Sequence, residues 1–210
     1  RLWGKEHFKL GRHPIPDRQM LVHYIRQCAS KEDFSTISSE FPSWKDCVQR
    51  YGHIECWDVR KITQMRSMAY PFLSSLSKFN SPIGAWDVSN VTNMMCMFEY
   101  CDNFNMPIGA WNVHNVKNMS SMFYEAHSFN QPVGDWNVGN VELMDDMFNK
   151  AMSFNQSIEN WKPLKLEKTY RMFREATSFQ YHQFVPSQAK EERYEEDSEE
   201  DTEEDTEEDT

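Results

Sequence analysis

The chain has 210 residues and a formal net charge of −11, a length that suits one domain with appendages. The charge is local: Lys190 to Thr210 carries 14 acidic and 2 basic residues, leaving 20 basic and 19 acidic residues before it. The remainder is near neutral, so the electrostatic footprint of a nucleic-acid binder is missing, and no apolar run is long enough for a membrane span.

The five cysteines, Cys28, Cys47, Cys56, Cys96 and Cys101, are odd in number and follow no period. A disulfide framework or a paired zinc knuckle would show regular spacing. Reduced thiols are expected, which leans towards an intracellular or virion-associated setting. The chain starts at Arg1, so a leader could precede it.

Residues 1–52 read as a helical N-terminal segment and cap. Arg1 to Pro16 is an irregular lead-in. After Pro16 and Asp17, the residues Met20, Leu21, Tyr24, Ile25 and Cys28 recur at three- and four-residue spacing, the stripe of an amphipathic helix. A short helix is expected from Asp33 towards Ile37. Ser43 is placed to cap another through Trp44, Cys47, Val48 and Tyr51, stopped by Gly52. The pattern of Ile15-Pro16, Asp33-Phe34 and Trp44 resembles an F-box. That resemblance implies docking on a ubiquitin-ligase adaptor, and leucine-rich repeats often follow such a segment. Trp44 also belongs to the capping helix.

From residue 53 the chain repeats itself. Trp86, Trp111, Trp136 and Trp161 stand 25 residues apart by their numbers, and Trp57 opens a looser copy with a four-residue-longer segment between Met68 and Phe79. A fixed period of this length marks a stacked array. In the copy Ile108 to Asn130, Ile108-x-x-Trp111-x-Val113 predicts a short strand. Val116, Met119, Met122, Phe123 and Ala126 fall on one helical face, with Asn115 at the N-cap position. The expected fold class is therefore an α/β solenoid, a right-handed leucine-rich-repeat-like stack of about five strand–helix coils over residues 53–182. One coil cannot bury its apolar face alone, so stacking is required.

Stacking predicts columns. Trp57, Trp86, Trp111, Trp136 and Trp161 should form a buried ladder, core rather than a sugar- or base-binding platform. The methionine columns (Met94, Met119, Met144; Met68, Met97, Met122, Met147, Met172) read as core filler, the other reading being a metal-binding cluster. Asn90, Asn115 and Asn140 should ladder between coils, failing at Lys61 and Lys165 at the two ends.

These residues resemble the BspA-like leucine-rich repeat family. Phe129 to Met147 follows its Phe-Asn-Gln-Pro-Ile-Gly-x-Trp-Asp-Val-Ser-Asn-Val-Thr-Asn-Met-x-x-Met pattern, and the likeness spans roughly residues 43–179. Coil five departs from it at Pro163 and Lys165. The resemblance implies macromolecular binding without shared catalytic residues. Family members occur on bacterial cell surfaces, in protists and algae, and in large DNA viruses. A virion or cell-surface structural or adhesion role is thus a further expectation.

Columns that vary while the core stays constant are candidate partner-binding positions. They are Asp58, Asp87, Asn112, Asn137 and Lys162 after each Trp, and Arg60, Ser89, His114 and Gly139 after each Val. Glu55, Gly84, Gly109, Gly134 and Glu159 follow each Ile. An ordinary solvated face is the competing reading. Tyr70, Phe72 and Leu73, in the longer first coil, offer a second apolar candidate contact. The histidines (His7, His13, His23, His53, His114, His127, His182) show neither nucleophile–base nor metal spacing, so no catalysis, metal or cofactor is expected. Residues 187–210 form an acidic tail too charged to bury a core. It is expected to solubilise the chain or to attract basic partners. Ser198, Thr202 and Thr206, each with acid three residues on, are candidate phosphorylation sites.

Overall fold

The structure, a computed structural model, describes residues 14–30, 49–68 and 78–180. Helix α1 spans Arg18–Ser30. Asp17 caps it: its Oδ1 accepts the Met20 N–H at 2.9 Å, meeting one of the amides left unpaired at a helix start. Leu21, Tyr24 and Ile25 are buried on its inner face, and Tyr24 lies edge-on to Trp57 at 5.8 Å. Residues 49–51 are helical and end at Gly52, whose φ of 78° is the left-handed conformation that closes a helix. The segment expected as irregular reaches the first repeat directly. Pro14 bridges Asp58 in parallel, and the Ile15 N–H donates to the Asp58 carbonyl at 2.9 Å.

Among the described residues the repeats contain neither the predicted strand nor the predicted helix. Besides the Pro14–Asp58 bridge, their only described regular elements are the 3-10 turn Ile54–Cys56 and isolated parallel bridges joining Gln64, Asn93, Asn118, Leu143 and Lys168 in series. The bridge column therefore runs seven residues beyond each Trp, outside the Trp-x-Val segment expected to pair. That segment is turned instead: Trp111 N–H donates to Ile108 O at 3.1 Å and Val116 N–H to Val113 O at 2.9 Å. The Trp111 amide is thus spent in a local turn, and no bridge between repeats forms at this segment.

The expected helix is a chain of tight turns. Met122 donates to Met119, Ala126 to Phe123 and Phe129 to Ala126, each three residues back. Two residues per repeat take positive φ, Ser121 (54°) and Glu125 (54°) here, and Cys96/Tyr100, Asp146/Lys150 and Arg171/Glu175 in the others. Each stands third in a four-residue turn, the position a type II turn requires to be left-handed. Right-handed helix cannot pass through such residues. Turns chained at three- and four-residue steps place their apolar side chains at the same intervals as a helix does.

The amides freed by this geometry point to the next repeat. Met94, Cys96, Phe98 and Tyr100 donate to Asn118, Ser120, Met122 and Tyr124 at 2.8–3.0 Å, and the pattern recurs from Met119 and from Met144 onwards. The interior between these bonds is aromatic. Phe98/Phe104, Phe123/Phe129 and Phe148/Phe154 stack at 3.9, 3.9 and 4.0 Å. Each pair stacks in turn on the corresponding pair of the next repeat, as Phe123 on Phe148 at 5.4 Å.

Candidate functional site

The tryptophan corner organises the outer face. All five indoles are buried, at 3–4% exposure. Those of Trp86, Trp111, Trp136 and Trp161 donate their N–H to the carbonyls of Ile54, Ile83, Ile108 and Val133, at 2.7 to 3.3 Å, and Trp57 donates to Gly52 at 3.0 Å. Trp57/Trp86 and Trp136/Trp161 stack at 6.2 and 6.4 Å. A buried indole whose N–H is engaged this way serves packing, as its burial requires.

Because Trp points in, the next residue points out. Asp87, Asn112, Asn137 and Lys162 are exposed. Asp58 is the exception and a correction to the sequence reading: it is 8% exposed. Arg60 grips it through Nε–Oδ1 at 2.9 Å and Nη2–Oδ2 at 2.7 Å, beside the chain at Pro14 and Ile15. The acidic and amide members share a second task that the sequence reading missed. Each folds back to accept the amide two residues on, Asp87 from Ser89, Asn112 from His114 and Asn137 from Gly139, at 3.1–3.2 Å. The signal was there, since Asp and Asn favour such turns. Ser89 Oγ also donates to Asp87 at 2.6 Å, and the Ser89 bonds hold the Asp87 carboxyl below its ordinary range.

His114, exposed, lies with Nδ1 3.2 Å from Asn137 Nδ2 and Nε2 3.5 Å from Asn140 Nδ2. The ladder residues Asn90, Asn115 and Asn140 donate from Nδ2 to the carbonyls of Arg60, Ser89 and His114 at 2.8–2.9 Å, and Lys165 reaches Asn140 Oδ1 at 2.8 Å. A second asparagine ladder escaped the sequence reading. Asn105, Asn130 and Asn155 each accept the amide found 25 residues later, those of Asn130, Asn155 and Gln180.

The glycine column is not an open floor for a partner. A Cβ on Gly84, Gly109 or Gly134 would stand 2.2, 2.4 or 2.5 Å from the carbonyl oxygen of Pro107, Pro132 or Ser157. The next repeat already occupies that space. What remains for a partner on this side is a row of exposed side chains (Asp87, Asn112, His114, Asn137 and Lys162) on a backbone locked from repeat to repeat.

The opposite rim carries the positive-φ corners. Cys96 is half-buried, and burial with Glu99 beside it pushes its thiol up to about 12. Burial likewise raises the Cys101 thiol. Neither is an activated thiolate at neutral pH. His127 Nδ1 meets Asp102 Oδ1 at 2.6 Å, and Lys150 pairs with Glu125 at 2.7 Å. Among the described residues there is no group of three or more His, Cys, Asp or Glu that could hold a metal ion. No helix among them is long and apolar enough to cross a membrane. Tyr70, Phe72 and Leu73, the tail with Ser198, Thr202 and Thr206, and Asp33, Phe34 and Trp44 lie outside the described residues.

Residues 36–142 and 117–194 match a family model described as a Mycoplasma protein of unknown function, DUF285. No curated protein and no solved structure matches the chain.

Proposed function

We propose that this chain, which belongs to the DUF285 family of Mycoplasma proteins of unknown function, is a non-catalytic protein-interaction or scaffold module. In this reading its repeats form a leucine-rich-repeat-like solenoid of the BspA type. One observation carries the proposal. Inward residues are held nearly constant and bonded between repeats, while the exposed row Asp87, Asn112, Asn137, Lys162 runs from acid through two amides to a base. A core that stays the same beneath a varying surface is how repeat proteins build extended recognition faces. The F-box alternative gains no support from Ile15, which is fully buried against the first repeat.

The test is crosslinking of native material to find partners, followed by binding to the full chain carrying Asp87→Arg, Asn112→Arg and Asn137→Arg together. A partner seated on this row should bind at least about tenfold more weakly, since a central contact is worth over 1 kcal/mol. Unchanged affinity for every crosslinked partner would remove the row from the proposal.

A further inference from the structure

The fifth repeat ends the described series with a row of forward-facing amides that meet no partner among the described residues. In the second, third and fourth repeats four alternate amides donate to the following repeat. Their counterparts Thr169, Arg171, Phe173 and Glu175 donate to no partner among the described residues. Phe173 is half-buried, whereas Phe98, Phe123 and Phe148 are at most 1% exposed. A row of amides that meet no partner among the described residues is a template for another chain.

The charge of this edge is unlike the rest. Residues 79–103, 104–128 and 129–153 have net charges of −3, 0 and −3 from their Lys, Arg, Asp and Glu, while 154–178 has +2. Its cations Lys162, Lys165, Lys168, Arg171 and Arg174 fall at every third residue, and all five are exposed. Arg174 lies 3.6 Å from Glu175, but among the described residues the other four form no ion pair. Arg171 sits over the Tyr170 ring at 4.6 Å and Lys165 bonds to Asn140. The acids sharing the repeat are Glu159, Glu167 and Glu175.

The occupant is not another repeat set on in the same register. Glu159 stands where Gly84, Gly109 and Gly134 admit the next repeat's carbonyl at 2.2–2.5 Å from a Cβ position, so its own Cβ blocks that approach. A single segment following the turned backbone of 168–175 avoids this corner. It must supply carbonyls to these amides and negative charge to the cations.

The chain contains such a segment. Residues 191–210 hold 14 acids and a single base, and the eleven residue-to-residue steps from Gln180 to Glu191 can span up to about 36–40 Å. We propose that this acidic sequence docks on the edge of the fifth repeat of its own chain. Its backbone carbonyls accept from Thr169, Arg171, Phe173 and Glu175, and its carboxylates face Lys165, Lys168, Arg171 and Arg174. This contact is independent of the partner row.

Zero-length carbodiimide crosslinking of the full chain, followed by peptide mapping, tests it. Amide links between carboxylates of 191–209 and Lys165 or Lys168 Nζ should dominate in the monomer band. They should be suppressed at 1 M salt, where screening shortens to about 3 Å. Arg171→Glu with Arg174→Glu leaves both lysines in place and should cut their yield about tenfold, with the thermal midpoint unchanged within a few degrees. Tail links spread evenly over Lys61, Lys117 and Lys150, links confined to dimers, or a yield indifferent to the double substitution would each overturn the proposal.

Discussion

Replacing Gly109 by Ala adds one methyl group at the point where two repeats come closest. The new Cβ would lie 2.4 Å from the Pro132 carbonyl oxygen, well inside any separation that real Cβ atoms tolerate, and the obstacle is backbone, which cannot rotate away. Relief requires the two repeats to part locally. The Ile108 carbonyl, one residue before, accepts both the Trp111 amide at 3.1 Å and the Trp136 indole at 3.2 Å. Parting the repeats strains the indole bond, leaving a buried donor unmet at about 1–3 kcal/mol. Overpacking adds about 1–3 kcal/mol. The reduced freedom of the unfolded chain returns only about 0.4–1 kcal/mol. The net loss is about 2–5 kcal/mol, or a fall in Tm of roughly 4–20 °C for a domain of this size. Gly139→Ala is the control, because its Cβ meets only the Asn137 side chain at 3.2 Å and Lys162 O at 3.9 Å, and it should shift Tm by no more than a few degrees. Thermal melts followed by the fluorescence of the buried tryptophans measure both. Equal melting of the two variants would refute the close-approach argument.

Trp136→Phe keeps the ring in place but deletes the indole donor to Ile108, and should cost about 1–3 kcal/mol in urea unfolding. Asn130→Ala frees the Asn155 amide and the Gln156 side chain at once, so it should destabilise more than Asn115→Ala, whose bond to Ser89 is exposed. Ser121 has φ of 54°; Ser121→Gly should be neutral or stabilising, whereas the β-branched Ser121→Val should lower Tm clearly, since left-handed backbone costs such residues about 1–2 kcal/mol or more. Cys96, raised from an ordinary 9.0 to about 12, binds its proton more tightly folded than unfolded. Stability should be complete below pH 9 and decline as pH rises towards 12. In Cys96→Ser that decline should be shallower, and native Cys96 should react slowly with iodoacetamide at pH 8.

The period, the inward Trp column and the ladder of Asn90, Asn115 and Asn140 could be read from the sequence because each is a single residue type recurring at one spacing. The local backbone could not. Turns joined end to end put Met119, Met122 and Ala126 at intervals of three and four, which is also the helical interval, so periodicity alone cannot separate them. The residues at positive φ, among them Cys96, Tyr100, Ser121, Glu125 and Lys150, are not the glycines and asparagines that announce such corners. Local turn bonds such as Met122 to Met119, together with bonds to the adjacent repeat, hold them there. The bridging column was misplaced for a related reason, since Trp-x-Val alternates like a strand while its Trp amide closes a local turn. The glycine column was placed among the candidate partner-binding positions because a small residue looks the same whether it faces solvent or a neighbouring backbone. At the candidate face the exposed positions were legible except Asp58, which the approach of Pro14 and Ile15 covers from 44 and 43 residues away by number.

The uniform offset of the inter-repeat bonds has a genetic consequence. Asn105 holds the amide of Asn130 as Asn130 holds that of Asn155, so excising one whole 25-residue unit brings together ends that already know how to join. A deletion of 24 or 26 residues would instead misalign every donor beyond the splice. A gene of this kind can lengthen or shorten its product by whole units while keeping the same grammar of contacts, and only the wording on the outside need change.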